Sequence, residues 1–205
     1  MLKKYPLISL IALFITTLNL NASELLTLLA EDQKAREPIY TLPRDEVKTY
    51  IQNVMVPGDK IRREKVIKLM ASKPSLNADE YFAAAMIMQH GNSAEDAKNA
   101  MQYAINAIEK DPSHEQAKWL KCASEDRYLQ RSGKAQVWGT QLSRKKHPTA
   151  DYDILYPANF DRTQKTDKQR EGCNLPSYAE IDNRLIEMAS VSKRSEQMKI
   201  WKRTN

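Results

Sequence analysis

Five short polar clusters hold the side chains of this chain that could do chemistry: Asp32-Gln33-x-x-Arg36, Gln89-His90, Asp126-Arg127, Gly133-x-x-Gln136-x-x-Gly139-Thr140-Gln141 and Asp167-x-x-Arg170-x-Gly172. Taken as an enzyme, the set offers one acid/base (His90), one carboxylate to orient it (Asp126), one cation (Arg127) and two amides (Gln136 and Gln141) to polarise an oxyanion, the parts of a hydrolase or lyase of unfamiliar type. Taken as structure, Asp32, Gln33, Arg36, Gln89, Thr140, Asp167 and Arg170 are the groups of a binding surface or of a buried polar network, in which each must find partners. Asp32 and Arg36 stand i,i+4 and can pair along one helix for a few tenths of a kcal/mol. Asp126 and Arg127 are adjacent and so point about 100° apart, which predicts that one of them serves a helix–helix ion pair. His90 closes a helix, where the dipole favours an imidazolium and the last carbonyls accept its hydrogen bonds. Gly-Thr-Gln reads as a turn whose side chains satisfy buried backbone groups.

Other chemistries lack their residues. His90, His114 and His147 are far apart in sequence and no His-x-x-x-His or Cys-x-x-Cys occurs, so no metal site is expected. The glycine spacing of a phosphate loop and the Gly-x-Ser-x-Gly elbow of serine hydrolases are absent. No cofactor is expected.

The elements that must position these residues are helices. Gly and Phe are scarce, at five and three residues, and helix formers dominate. Ser23 opens a leucine-faced first helix that Pro38 and Pro43 end; a second runs near Asp45–Met55; Pro57-Gly58-Asp59 reads as a turn; a third spans about Lys60–Ser72 and stops at Lys73-Pro74. Capping boxes at Asn77–Glu80 and Ser113–Gln116, with Ser93 as a third N-cap, start the three central helices. Gly91 is the expected C-cap of the first, Asp111-Pro112 ends the second, and the third ends near Gly133. Turns of a few residues predict antiparallel neighbours. A segment over 143–176 reads as irregular, and Ser177–Glu180 caps a last helix, about Tyr178–Val191. The fold class is therefore all-α: helical hairpins in one domain, 23–192, followed by a basic tail, 193–205, whose Met198, Ile200 and Trp201 could touch a membrane surface.

Two resemblances add to this. Asp79 to Pro112 resembles one tetratricopeptide-type hairpin, with Ala100, Ala107 and Pro112 in place but Met88 and Gly91 where the repeat has Gly and Tyr. The ordered clusters, from Asp32-Gln33…Arg36 through Gln89-His90, Asp126-Arg127 and Gly133…Gln136…Gly139-Thr140-Gln141 to Asp167…Arg170 and Pro176, resemble an uncharacterised bacterial domain of unknown function. Trp138 and Gln169 stand where that pattern has Tyr and Arg. The resemblance covers about residues 25–180 and implies no activity.

Lys3-Lys4 followed by the apolar run Leu7–Leu20 and the small Ala22 has the form of a removable signal, 1–22, so export to the periplasm or the exterior is expected. Removing the two lysines lowers the net charge from +6 to +4, too little for a nucleic-acid binder. Cys122 and Cys173 then read as a disulfide. The function expected first is a protein- or peptide-binding module; the alternative is the His90, Asp126 and Arg127 enzyme. Oligomeric state has no signature here.

Overall fold

The computed structural model describes residues 23–72, 75–146 and 153–181. The expected signal segment, the Lys73-Pro74 stop, His147, the last helix beyond residue 181 and the basic tail lie outside them. The chain is mainly helical, as its composition demands, in the order α1 (Glu24–Lys34), α2 (Pro38–Thr41), α3 (Arg44–Tyr50), a π turn (Ile51–Met55), α4 (Val56–Ser72), α5 (Ala78–Met88), α6 (Ala94–Lys110), α7 (Glu115–Arg131), β1 (Leu142–Lys146), β2 (Asp153–Pro157) and α8 (Asp167–Glu171). Among the described residues no helix is long and apolar enough to cross a membrane.

The central helix is α5. Its side chains Ala83, Ala84, Ala85, Ile87 and Met88 are fully buried, an apolar surface on nearly every side. One side packs with Leu25 and Leu28 of α1 and Val66 of α4, and the other carries Phe82 and Ala85 into a second cluster with Ala104, Ala107, Ala117 and Leu120 of α6 and α7. Alanines 97, 100, 104 and 107 form the buried stripe of α6 and let its neighbours approach closely. The turns 89–93 and 111–114 join α5 to α6 and α6 to α7, and each consecutive pair packs together.

Local capping explains where two of these helices begin. Asn77 Oδ1 accepts from Glu80 N–H at 2.9 Å while Glu80 Oε2 accepts from Asn77 N–H at 3.0 Å. Ser93 and Asp96 repeat the reciprocal pair on α6. The third box does not form. His114 is the N-cap of α7, its Nδ1 accepting from Ala117 N–H at 3.3 Å, because Ser113 turns back to give both its N–H and its hydroxyl to Asp111. Gly91 is not a left-handed C-cap either, since only Gly133 and Gly139 among the glycines have positive φ. It is needed for space: a Cβ there would lie 2.3 Å from the Asp96 carboxyl that caps α6.

Two further expectations are corrected. Pro57-Gly58-Asp59 is no turn but the first turn of α4, continuous with α3 through the π turn. A proline lacks the N–H and crowds the carbonyl four residues back, and a ladder already widened to i→i+5 spacing accommodates both defects. The 143–176 segment is not irregular throughout. It holds an antiparallel hairpin, with Leu142 opposite Pro157 and Lys146 opposite Asp153, and the one-turn helix α8 with its own capping box from Thr166 and Gln169. The last helix begins as expected, with Ser177 and Glu180 bonded reciprocally at its start.

Candidate functional site

The residues singled out in the sequence fall into two separate centres, with Arg127 in neither. The first lies where α1, α4 and the end of α5 meet. Asp32, fully buried, accepts from Gln33 Nε2 at 2.8 Å, from Arg36 Nη1 at 2.9 Å and from the His90 ring at 3.2 Å through Nδ1. Arg36 then spans to Asp59, 3.2 Å away, and Arg62 closes the figure, its Nη2 2.5 Å from Asp59 and its Nε 3.5 Å from Asp32. The i,i+4 pair expected for Asp32 and Arg36 is present, embedded in a larger group. Two carboxylates face two guanidiniums, so the centre is balanced without the ring. Its walls are largely sealed: Asp32 is 0 %, Asp59 6 % and Arg62 11 % exposed, whereas His90 is 20 % exposed. The imidazole does not cap the α5 carbonyls, as its position had suggested, but turns to Asp32. With Nδ1 donating to that carboxylate, Nε2 is left as the acceptor of the neutral ring, without a hydrogen-bond partner among the described residues. Gln89, next to it, is buried, its amide nitrogen against Met86 Sδ and its Oε1 unpartnered.

The second centre is built on α7 and is closed. Asp126 is fully buried and accepts four hydrogen bonds: Val137 N–H at 2.8 Å and Trp138 N–H at 2.9 Å on Oδ1, Thr140 N–H at 2.9 Å and Thr140 Oγ1–H at 2.7 Å on Oδ2. The chain leaving α7 at Gly133 is thereby wound around one carboxylate. Gly139 makes the winding possible, with φ at 70° and the Phe160 ring 2.6 Å from where a Cβ would stand. Gln136, also fully buried, fastens the outer layer: its amide gives hydrogen bonds to the carbonyls of Gln141 (3.0 Å) and Ala158 (2.7 Å) and its Oε1 accepts from Gln141 N–H (3.0 Å). Gln141 Nε2 reaches the Ala123 carbonyl of α7 at 3.3 Å and Thr140 Oγ1 at 2.8 Å. This is the role read for the Gly-Thr-Gln turn in the sequence.

Arg170 of α8 completes that centre. It is fully buried, donates to the carbonyls of Pro176 (2.8 Å) and Trp138, and lies 4.6 Å over the Tyr178 ring; burial lowers its pKa from the ordinary arginine value. Asp167 accepts from Tyr178 N–H at 2.8 Å. Cys122 and Cys173 are joined, with Cα atoms 6.1 Å apart, and pack with Trp138. Trp138 itself donates from Nε1 to Glu125 at 2.7 Å, beneath Lys165.

The five residues of the enzyme reading are therefore not one unit. His90 has Asp32 as its carboxylate, while Asp126, Gln136 and Gln141 spend their polar atoms on backbone. Neither Asp126 nor Arg127 forms the helix–helix ion pair that their adjacency had suggested. Arg127 is half-buried, with a sealed, unpartnered Nε and no ion pair among the described residues, and burial first, then nearby Arg131, brings its pKa down to about 10.

Sequence reasoning missed Asp59 and Arg62, because Asp59 was assigned to a turn; their i,i+3 spacing on a continuous helix was the available signal. It also missed an apolar groove of about 530 Å³ formed by Ile39 and Leu42 of the α2 region, Val47 and Lys48 of α3, and Ile51 and Gln52 of the π turn. Tyr40 stands beside it, 85 % exposed. Comparison of the chain with protein-family models, with curated proteins and with solved structures returned no match.

Proposed function

We propose that this chain is an exported, non-enzymatic binding module whose peptide-binding surface is the groove between α2, α3 and the π turn. The observation that carries this reading is the groove itself: its volume is that of a ligand pocket, and its lining is four aliphatic residues with Lys48 and Gln52 as polar groups. Tyr40, Val54 and Val56, on the same stretch of chain, are also exposed apolar side chains. The first polar centre supports the groove from behind. Arg36, in the turn leading into α2, is clamped between Asp32 and Asp59, and Tyr50 of α3 donates to the Ala35 carbonyl at 2.9 Å. The disulfide fits an oxidising compartment, which supports export.

A displayed random-peptide library, selected on the oxidised protein, tests the reading. Enriched peptides should carry an apolar anchor and lose at least tenfold in affinity against Ile51→Glu. No enrichment, or equal binding to Ile51→Glu, defeats it. A second reading rests on the 3.2 Å contact of His90 with Asp32: a carboxylate-oriented imidazole with a free Nε2 is the base half of an acid–base site. It replaces Asp126 by Asp32 in the hydrolase or lyase alternative. A hydrolytic activity whose kcat survives His90→Ala would remove it.

A further inference from the structure

Arg127 carries a buried guanidinium nitrogen with no hydrogen-bond partner, as Arg62 and Arg170 also do at one nitrogen, but unlike them it has no carboxylate or carbonyl partner among the described residues. Buried cations ordinarily have a carboxylate or a set of carbonyls, as Arg62 and Arg170 do here. Arg127 has neither, yet it is held out of water far enough to leave Nε without any partner. Its neighbours raise the positive charge. Arg131, one turn further along α7, also has its pKa lowered by burial, and it reaches across to the Ser93 carbonyl at 3.2 Å, in the turn between α5 and α6. Arg63 of α4 acts on Arg131 as a like charge, and itself lies 3.7 Å from Asp96. The one carboxylate in this group, Asp96, is already engaged as the α6 cap by Ser93 N–H and Oγ. Arg63 and Arg131 thus share the Asp96 carboxylate, and Arg127, one turn before Arg131 on α7, pairs with no carboxylate among the described residues. Two positive charges remain, and planar forks that match oxyanions present them.

We propose that α7 and the facing α5–α6 turn form an oxyanion-binding site in which Arg127 and Arg131 hold a phosphate dianion. A dianion matches the uncompensated charge, and binding supplies the counter-charge that Arg127 lacks. The site uses none of the groove residues; it shares the α5–α6 turn with His90 but draws on other side chains. An unpaired, half-buried cation costs stability, so its retention fits a ligand that relieves the cost.

The test is calorimetric titration of the full, oxidised chain with inorganic phosphate at low ionic strength, beside melting curves in phosphate and in chloride of equal ionic strength. Saturable binding is expected, weakened at least tenfold in Arg127→Met and several-fold in Arg127→Lys, which keeps the charge but not the fork. Phosphate should raise the melting temperature of the parent by about 2–4 °C over chloride and leave Arg127→Met unmoved. Arg127→Met is expected to melt no lower than the parent in chloride, so loss of binding is separable from loss of fold. Lys118→Met, which removes a surface cation paired with Glu115, should bind as the parent does. Absence of saturation, an equal phosphate response in the parent and Arg127→Met, or equal weakening by Lys118→Met would each overturn the proposal.

Discussion

Replacing Asp126 by Asn changes almost nothing in volume and one thing in chemistry: one of two acceptor oxygens becomes an NH2 donor. In this structure that exchange is severe, because each oxygen accepts two hydrogen bonds and every group facing them is a donor. With the NH2 in the Oδ1 place, two backbone N–H groups lose their acceptor; in the Oδ2 place, Thr140 N–H loses its acceptor and the Thr140 hydroxyl must turn round to accept. Hydrogen bonds to a charged acceptor contribute about 1.5–3 kcal/mol each, and donors left buried without partners add a penalty of similar size. Allowing for relaxation of the turn, the loss should be about 3–5 kcal/mol, a large share of the 5–15 kcal/mol typical of a domain. For a chain of this size that is a fall of about 6–20 °C in melting temperature. Circular dichroism melts of parent and Asp126→Asn, both with the disulfide intact, measure it. A difference below about 2 °C would refute the reasoning: Asp126 would not be the post around which residues 137–140 are wound, and its carboxylate would be available for chemistry after all.

Three further outcomes follow from the same geometry. Asp32→Ala leaves Arg36 and Arg62 short of a carboxylate in a sealed centre and should cost about 3–5 kcal/mol in urea unfolding, whereas His90→Ala removes one bond from a partly exposed ring and should cost about 1 kcal/mol; equal effects would contradict the hierarchy drawn here. Replacing Cys122 and Cys173 by Ser opens a loop with a sequence separation of 51 residues and should lower stability by about 4 kcal/mol in the chain-entropy account; a loss under 1 kcal/mol would mean that the Asp126 and Gln136 contacts alone hold the loop. Ser113 donates side-chain and backbone hydrogen bonds to Asp111, which lowers that carboxyl below its ordinary 3.8. A folded pKa below the unfolded one supports the fold above the unfolded value and loses that support as pH falls through the folded value, so the small difference between parent and Asp111→Asn should close as pH falls through and below the ordinary carboxylate range; a difference unchanged by acid would refute the linkage.

What the sequence disclosed and what it withheld divide along chain distance. The Asn77–Glu80 box, the start of α6 at Ser93 and the Asp32–Arg36 pair lie within one helical turn, and local rules decide them. The buried stripe of alanines 97, 100, 104 and 107 was legible as periodicity for the same reason. Asp59 was hidden by a proline and a glycine, which in most sequences punctuate a helix; only the π turn lets both stand inside one. Ser113 lost its capping role because the Asp111 carboxylate draws back both its N–H and its hydroxyl, which leaves His114 in the N-cap position. The β1–β2 hairpin carried no warning, because Leu142-Ser143-Arg144-Lys145-Lys146 has little apolar alternation. His90 was read with Asp126 as its carboxylate, whereas its partner is Asp32, 58 positions away, and nothing in one sequence distinguishes the two.

The π turn between α3 and α4 also constrains how this chain can change. Val56 N–H reaches back to the Ile51 carbonyl, so the ladder there carries one residue more than an α-helix would. Val47 before it and Ile51 at its start line the groove; residues after it, Asp59 and Arg62, look toward Asp32 and Arg36. The extra residue sets the angle between those two faces, and removing it would swing everything downstream by about 100°. The stretch 44–62 therefore behaves as a phase-locked rod. It can drift by substitution and keep both faces, but a single insertion or deletion breaks their alignment, so in descendants of this chain the length of that rod should change far more slowly than its letters.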